Sequence, residues 1–266
     1  MMKTIGFIGC GNMGSAIIGG IINAKIADGE HIIAYAPTNT HLDVLKEKYG
    51  INSRPNNWDV AREADILFLA VKPNKLSEVI PDISGSLKKG AVVVSIVAGT
   101  TMSAIEKLFC RELKLVRSMP NTPALVGEAM SAICGNSHME DEELEDIKKI
   151  FESFGKCEIV PESLMDAVTG VSGSSPAYVY MFIEAMADAA VADGMPRNQA
   201  YKFAAQAVYG SAKMVLETGL HPGVLKDNVC SPGGTTIEAV AELEKGGLRS
   251  TVISAQRACV KKSKNM

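Results

Sequence analysis

Along the first 160 positions, apolar residues come in short unbroken runs, parted by segments where they return every three or four residues. The runs 4–8, 32–36, 66–71, 92–97, 113–118, 130–134 and 157–160 are rich in Val and Ile with few polar breaks. That is the pattern of strands covered on both faces. Helical spacing lies between them, near 13–24, 40–49, 75–87, 101–110 and 141–154. Gly50 follows the second of these helices where a C-cap glycine is expected. The acidic cluster Glu140-Asp141-Glu142-Glu143 opens the last, at the end of a helix that favours negative charge, and reads as a solvated helix start rather than a metal site. Strand and helix in alternation predict an α/β fold with a doubly wound parallel sheet over residues 1–160.

The pattern changes near Pro161. No strand-like run follows; Ala-rich helical stretches cover 176–193, 197–217, 236–245 and 251–262, the first two parted by Gly194-Met195-Pro196. The run 177–192 is apolar on nearly every face. A helix apolar all round must be buried, and a domain of about 100 residues has few positions for one. The sequence therefore predicts a second, all-α domain over 161–266 that buries this helix against another copy of the chain.

The chemistry begins at Gly9-Cys10-Gly11-Asn12-Met13-Gly14. These residues follow the first apolar run and open the first helical one, the strand-turn-helix setting that makes a GxGxxG pattern a dinucleotide fingerprint. Gly9 would permit the tight turn, Gly11 the approach of a pyrophosphate, and Gly14 close helix–strand packing, which makes the first domain Rossmann-type. A second glycine signal, Ser231-Pro232-Gly233-Gly234-Thr235-Thr236, precedes the helical stretch at 237–243 and reads as a site for a small anion. An enzyme that brings a nicotinamide ring to a small carboxylate needs both.

Composition narrows the reading. The 266 residues are 47% hydrophobic and only 5% aromatic, with a formal charge of −3. No global field favours nucleic acid or an anionic membrane. The basic tail Lys261-Lys262-Ser263-Lys264 reads as a solvated end. The six cysteines, at 10, 110, 134, 157, 230 and 259, form no CxxC pair, and no His stands at metal-ligand spacing from one. They read as reduced thiols of a cytoplasmic protein without a metal site. Glycines interrupt the apolar stretch 4–22, so it is read as fingerprint rather than signal peptide. No run reaches the roughly 18 apolar residues of a membrane span.

The cofactor type turns on the end of the second strand. In NAD enzymes an acidic residue there binds the adenosine ribose. Here the strand ends Ala34-Tyr35-Ala36-Pro37-Thr38-Asn39, with no acid, and Glu30 lies at the wrong end. Nothing repels a 2′-phosphate, which favours NADPH and leaves NADH as the alternative donor. Thr38 and Asn39 either donate to that phosphate or only form the loop.

Four segments carry a family resemblance. They are Phe7-Ile8-Gly9-Cys10-Gly11-Asn12-Met13-Gly14, Ala70-Val71-Lys72-Pro73, Met119-Pro120-Asn121-Thr122-Pro123 and Asp227-Asn228-Val229-Cys230-Ser231-Pro232-Gly233-Gly234-Thr235-Thr236. Together they resemble pyrroline-5-carboxylate reductase, end to end and in order, the fourth being the family's most specific signature. Two departures stand out. Ser174-Ser175-Pro176-Ala177-Tyr178 has Ser175 where the family usually has glycine, and Gly219-Leu220 lacks an acid that some members carry near the substrate.

The resemblance implies NADPH- or NADH-dependent reduction of a cyclic imine to L-proline, and an intertwined dimer, often built into larger rings. It implies that Ile8, Gly9, Cys10, Gly11, Asn12 and Met13 contact the pyrophosphate, with Gly14 behind them. Ala36 and Asn57 would face the adenosine half, and Ala70, Val71, Lys72 and Pro73 the edge of the nicotinamide half. Ile96, Val97 and Ala98 would lie under the ring, Ala98 also near the substrate. Asn228, Thr235 and Thr236 would contact the substrate, while Gly233 and Gly234 are read from the residues themselves as presenting backbone amides to its carboxylate.

The residues support the same places: Ala70-Val71-Lys72-Pro73 and Val97-Ala98-Gly99 end strand-like runs, where open α/β sheets bind ligands. Lys72 is either a functional cation or a solvated loop charge. Met119-Pro120-Asn121-Thr122-Pro123 is expected to support the cleft rather than contact ligand. The Thr236 hydroxyl is the candidate to hold the imine nitrogen; the alternative is that Thr235 or Thr236 merely caps a helix. His221 has no evident partner as an acid, and a free imine can take its proton from solvent. A β-hydroxyacid dehydrogenase would instead place a lysine by the substrate; Lys213 lacks that setting. A non-enzymatic NADP sensor would need no substrate loop.

Overall fold

The computed structural model describes residues 3–38 and 40–265. Among them eight strands form one sheet: β1 Ile5–Ile8, β2 Ile32–Tyr35, β3 Asn52–Ser53, β4 Ile66–Leu69, β5 Val92–Ser95, β6 Lys114–Met119, β7 Ala129–Gly135 and β8 Gly155–Ile159. Their order is β3-β2-β1-β4-β5-β6-β7-β8. Helices α1 Asn12–Asn23, α2 Thr40–Tyr49, α3 Asn57–Glu63, α4 Leu76–Ser84, α5 Met102–Phe109 and α6 Asp141–Glu152 alternate with the strands. The central strands β1, β4 and β5 are buried along their whole length, which is why they read as unbroken apolar runs.

Alternate residues of these strands feed two cores. On one face Phe7 stacks on Phe68 at 4.7 Å, with Ile17 and Ile21 of α1 and Phe151 of α6 around them. On the other, Ile8, Leu67, Leu69 and Val93 pack on Val60 of α3, Ile80 of α4 and Ile105 of α5. Gly50 ends α2 at φ +68 and donates to Lys46 O at 2.9 Å, as its C-cap position requires. Glu143 accepts from the Glu140 amide at 3.3 Å at the start of α6, so the acidic cluster closes a helix end.

One expectation is corrected. The sheet is not wholly parallel: β7 runs antiparallel to β6. A parallel crossover needs a dozen or more residues, usually with a helix, and the connection between Met119 and Ala129 holds only the 3-10 turn Thr122–Val126. β3 and α3 are additional to the elements expected; β3 is two exposed polar residues and α3 only seven residues long.

Two compact units divide at Ser174, the first taking back the chain from Cys259 on and the second spanning Ser175–Ala258. The contacts break later than Pro161 because the segment after it is bound to the sheet. Met165 of α7, Met165–Val168, is buried with Ala132 and Cys134 of β7. A π-helical turn, Thr169–Gly173, follows.

The second unit begins with α8 Ser175–Ala192 and α9 Arg197–Thr218, then α10 Pro222–Val229, α11 Thr235–Lys245 and α12 Leu248–Ser263, the last of which ends in the first unit. The buried residues of α8 and α9 are Ala187, Ala200 and Ala204. Their larger apolar side chains are bare: Met181 is 70% exposed, Phe203 67% and Leu216 82%.

Candidate active site

The register of the sheet aligns the ends of its strands. Ile8 pairs with Tyr35 on one side and Leu69 on the other, and Leu69 pairs with Ser95. The loops leaving β1, β2, β4 and β5 therefore start side by side. β1 lies between β2 and β4, where the strand order reverses, and an open α/β sheet takes its ligand in the crevice at that point.

The glycine turn is built for a close-lying group. Gly9 has φ +93 and donates to Tyr35 O at 2.8 Å; a Cβ there would stand 2.5 Å from Ala70 O. A Cβ on Gly14 would stand 3.0 Å from Gly9 O. Gly11 is the N-cap of α1 with no side-chain cap, and nothing lies within 4 Å of where its Cβ would be. The first-turn amides of α1 thus face an open cradle at the positive end of the helix dipole. That cradle fits a pyrophosphate.

The predicted residues of the first unit fall along this edge in different ways. Gly11 and Asn12 are exposed, while Gly9 and Met13 are half-buried. Ile8, Cys10, Ala36 and Val97 turn their side chains into the cores, so only their main chain can meet a ligand. Burial pushes the Cys10 thiol up to about 12, which rules it out as a nucleophile at neutral pH. Ala70 donates to Ile8 O at 2.9 Å; Val71 is half-buried, and Pro73 opens a 3-10 turn. Lys72 is exposed and has no ion pair among the described residues. Ile96 donates to Leu69 O at 3.2 Å, Val97 to the Ser95 hydroxyl at 3.3 Å, and Ala98 is half-buried. Asn57 is the first residue of α3, just past the end of β3, behind the cap that Asn56 makes to Asp59 N at 2.8 Å.

At the end of β2, Thr38 is exposed and Asn39 lies outside the described residues. Sequence reasoning placed no cation there, yet the structure brings one. Arg54 donates its amide to Ala34 O at 2.9 Å, and its guanidinium meets Glu63 at 3.0 and 2.6 Å. That hydrogen bond holds the Glu63 carboxyl below its usual range. Asn121 braces the β6–β7 loop, donating to Ser172 O and accepting from Met130 N, both at 3.0 Å.

In the second unit, Ser231-Pro232-Gly233-Gly234 forms a turn closed by Gly234 N to Ser231 O at 3.0 Å. Proline second and glycine third, with Gly233 at φ +66, match a type II turn. Gly233 is needed for that dihedral and not for space, since nothing lies within 4 Å of its Cβ position. Gly234 is the N-cap of α11, and no side chain caps the helix. Neither Thr235 nor Thr236 acts as the cap, and no hydrogen bond to either hydroxyl is found among the described residues. Thr236 is half-buried and Thr235 exposed; Asn228 is exposed in the last turn of α10. His221 is itself a cap: its Nδ1 accepts from Gly223 N at 3.0 Å. Lys213 lies within 3.5 Å of Glu217 along α9.

A glycine turn and an open helix N-terminus at the switch point of a doubly wound sheet define a Rossmann-type dinucleotide-binding oxidoreductase. Residues 4–99 match the family model described as NADP oxidoreductase coenzyme F420-dependent, and residues 162–266 match pyrroline-5-carboxylate reductase dimerisation. The chain is 53% identical over 267 residues to pyrroline-5-carboxylate reductase of Escherichia coli, covering 100% of this chain and 99% of that protein. It is 45% identical to the Methanosarcina acetivorans protein of the same name, over 99% of this chain and 98% of that one. The crystal structure of Plasmodium falciparum pyrroline carboxylate reductase with NADP bound superposes with a TM-score of 0.90 at 36% identity, over 99% of this chain and 97% of that one. The chain belongs to the pyrroline-5-carboxylate reductase family.

Proposed function

We propose that this chain reduces 1-pyrroline-5-carboxylate to L-proline, the last step of proline biosynthesis, with NADPH as donor. The observation that carries the substrate half of this reading is the uncapped N-terminus of α11 behind the Pro232–Gly233 turn. Bound NADPH would supply a hydride to the ring carbon of the C=N bond. The nitrogen lone pair first takes a proton from solvent to give the iminium; as the hydride forms the new C–H bond the π pair becomes the amine lone pair, which takes a second proton from solvent. The chain's own part is orientation, worth on the order of 7–11 kcal/mol when reacting groups are held together. The amides at the start of α11 hold the carboxylate. The Thr236 hydroxyl accepts from the iminium N–H, and Asn228 and Thr235 complete the pocket. Ala98 borders the nicotinamide ring.

We assign residues 1–160 to dinucleotide binding and 161–266 to dimerisation and substrate binding. The exposed apolar faces of α8 and α9 support a homodimer. Six unpaired cysteines support a cytoplasmic location.

Two experiments test the site. Thr236→Ala removes one hydrogen bond, about 0.5–1.5 kcal/mol and more if its partner is left unpaired. Turnover at saturating NADPH should fall roughly tenfold, with NADPH affinity unchanged; wild-type turnover and wild-type substrate affinity together would remove the contact. Thr38→Asp, at an exposed position just past the end of β2, should weaken NADPH by charge repulsion and favour NADH. Wild-type efficiency greater with NADH than with NADPH would overturn the cofactor preference.

A further inference from the structure

We propose that Glu162 is a positioning residue for this reaction. From a place 60 residues along the chain, its carboxylate fixes the far end of the loop that carries Ile96, Val97 and Ala98. The proposal rests on the reading above that this loop lies under the nicotinamide ring.

The loop leaves β5 with its near end tied. Ile96 donates to Leu69 O and Val97 to the Ser95 hydroxyl, and Ser118 Oγ donates to Ser95 O at 2.9 Å. It then turns at Gly99, φ +71, and enters α5. The Thr101 hydroxyl caps that helix, accepting from Ala104 N at 3.2 Å. This cap leaves the first amide, that of Met102, to be satisfied elsewhere. Glu162 Oε1 accepts it at 2.7 Å.

The same oxygen accepts from Arg117 Nη1 at 3.0 Å. Arg117 lies in β6 directly opposite Ser95, the last residue of β5. Its side chain is 7% exposed and that of Glu162 30%. A guanidinium so buried is costly unless paired, and an apolar side chain would fill the space at less cost. Glu162 is its ion-pair partner among the described residues. The chain of contacts runs one way: Arg117 orients the carboxylate, the carboxylate fixes the Met102 amide, and the amide sets where Ala98, Gly99 and Thr100 end. A role confined to gluing the segment after Pro161 onto the sheet would not need the carboxylate to reach Met102.

The test compares NADPH with 2′,5′-ADP, a fragment that carries the adenosine half alone. In Arg117→Met/Glu162→Ala no guanidinium is orphaned, so the fold should survive, as a cooperative thermal transition would show. Its preference for NADPH over the fragment should shrink about tenfold, the scale of one charge-assisted hydrogen bond. Fragment affinity should stay unchanged, and turnover should fall by a similar factor. Arg117→Met/Glu162→Gln, which likewise leaves no guanidinium unpaired, keeps an acceptor for Met102 N–H and should restore most of both. If the double variant keeps the wild-type ratio of NADPH to fragment affinity, or weakens both ligands equally, Glu162 does not position the loop. A wild-type protein that binds NADPH but leaves the imine unreduced would sink the proposed reaction instead, and the affinity ratio would still decide the role of Glu162.

Discussion

Gly9→Ala and Gly11→Ala should fail in different ways. At Gly9 the backbone stands at φ +93, and the new Cβ would meet Ala70 O at 2.5 Å and Ala70 C at 2.8 Å. Both obstacles are main chain, and Ala70 is held by its hydrogen bond to Ile8 O. The turn cannot give way without parting β1 from β4. Strain of this kind costs about 1–3 kcal/mol for the dihedral alone, and the clash adds to it. Gly9→Ala should therefore lose stability in urea and bind NADPH at least about a hundredfold more weakly, as 2.7 kcal/mol of lost interaction implies. Gly11 differs in kind. Its φ is −73 and its Cβ position is free of neighbours, so Gly11→Ala costs only the difference in N-cap preference, under about 1 kcal/mol. On the proposed reading NADPH affinity should still fall, because the new Cβ takes space given to the pyrophosphate. Titration of NADPH against both variants, with urea unfolding alongside, separates the two. A Gly11→Ala protein with wild-type affinity would show that the cofactor does not approach this turn closely.

What the sequence makes legible follows from burial. β1, β4 and β5 are covered on both faces, so selection for apolar side chains acts on every residue and leaves a run anyone can read. β3 lies at the sheet edge as Asn52-Ser53, with both residues exposed, and composition leaves no mark there. The direction of β7 is absent from its hydrophobic pattern, which is the same for parallel and antiparallel strands covered on both faces. The available signal was the short connection after Met119, too short for a crossover. The π turn and α7 escaped for another reason. A few residues such as Met165, on a segment without clear periodicity, tie that stretch to the sheet.

The site divides along the same line. Gly9, Gly11 and Gly14 are legible because one local geometry demands them at fixed spacing. His221 could have been read as a cap, since Pro222 follows at the first helical position, where proline is favoured. Arg117 and Glu162 could not. They are 45 residues apart, and neither stands in a motif; only the folded sheet brings them onto one amide. Whether Thr235 or Thr236 caps α11 was likewise undecidable from types alone, because Gly234 and either threonine suit an N-cap.

Met181→Asp combined with Phe203→Asp should yield a folded but monomeric protein. Helix α8 is apolar on nearly every face, yet Ala187 is its one buried residue in the single chain. Its mean character fits a core helix, and its surroundings supply no core. Tyr180, Met181 and Phe182 on α8 and Phe203, Tyr209 and Leu216 on α9 stand exposed together with it. So much bare apolar surface on adjacent helices is the mark of a face that another copy covers. Burying one such side chain contributes about 1.5–3 kcal/mol, and a carboxylate put in its place must be desolvated as well. In a two-fold dimer every substitution acts twice. The dissociation constant should therefore rise at least about a thousandfold, since each 1.4 kcal/mol is tenfold. Because the first unit keeps its own sheet and cores, circular dichroism should show the strands intact and NADPH should still bind. Turnover should be lost with the dimer if each substrate pocket depends on the helical domain's assembly. Sedimentation velocity at working concentration reads the outcome. A double variant that still sediments as the wild type would show that Met181 and Phe203 lie outside the interface, and a monomer with full turnover would separate assembly from catalysis.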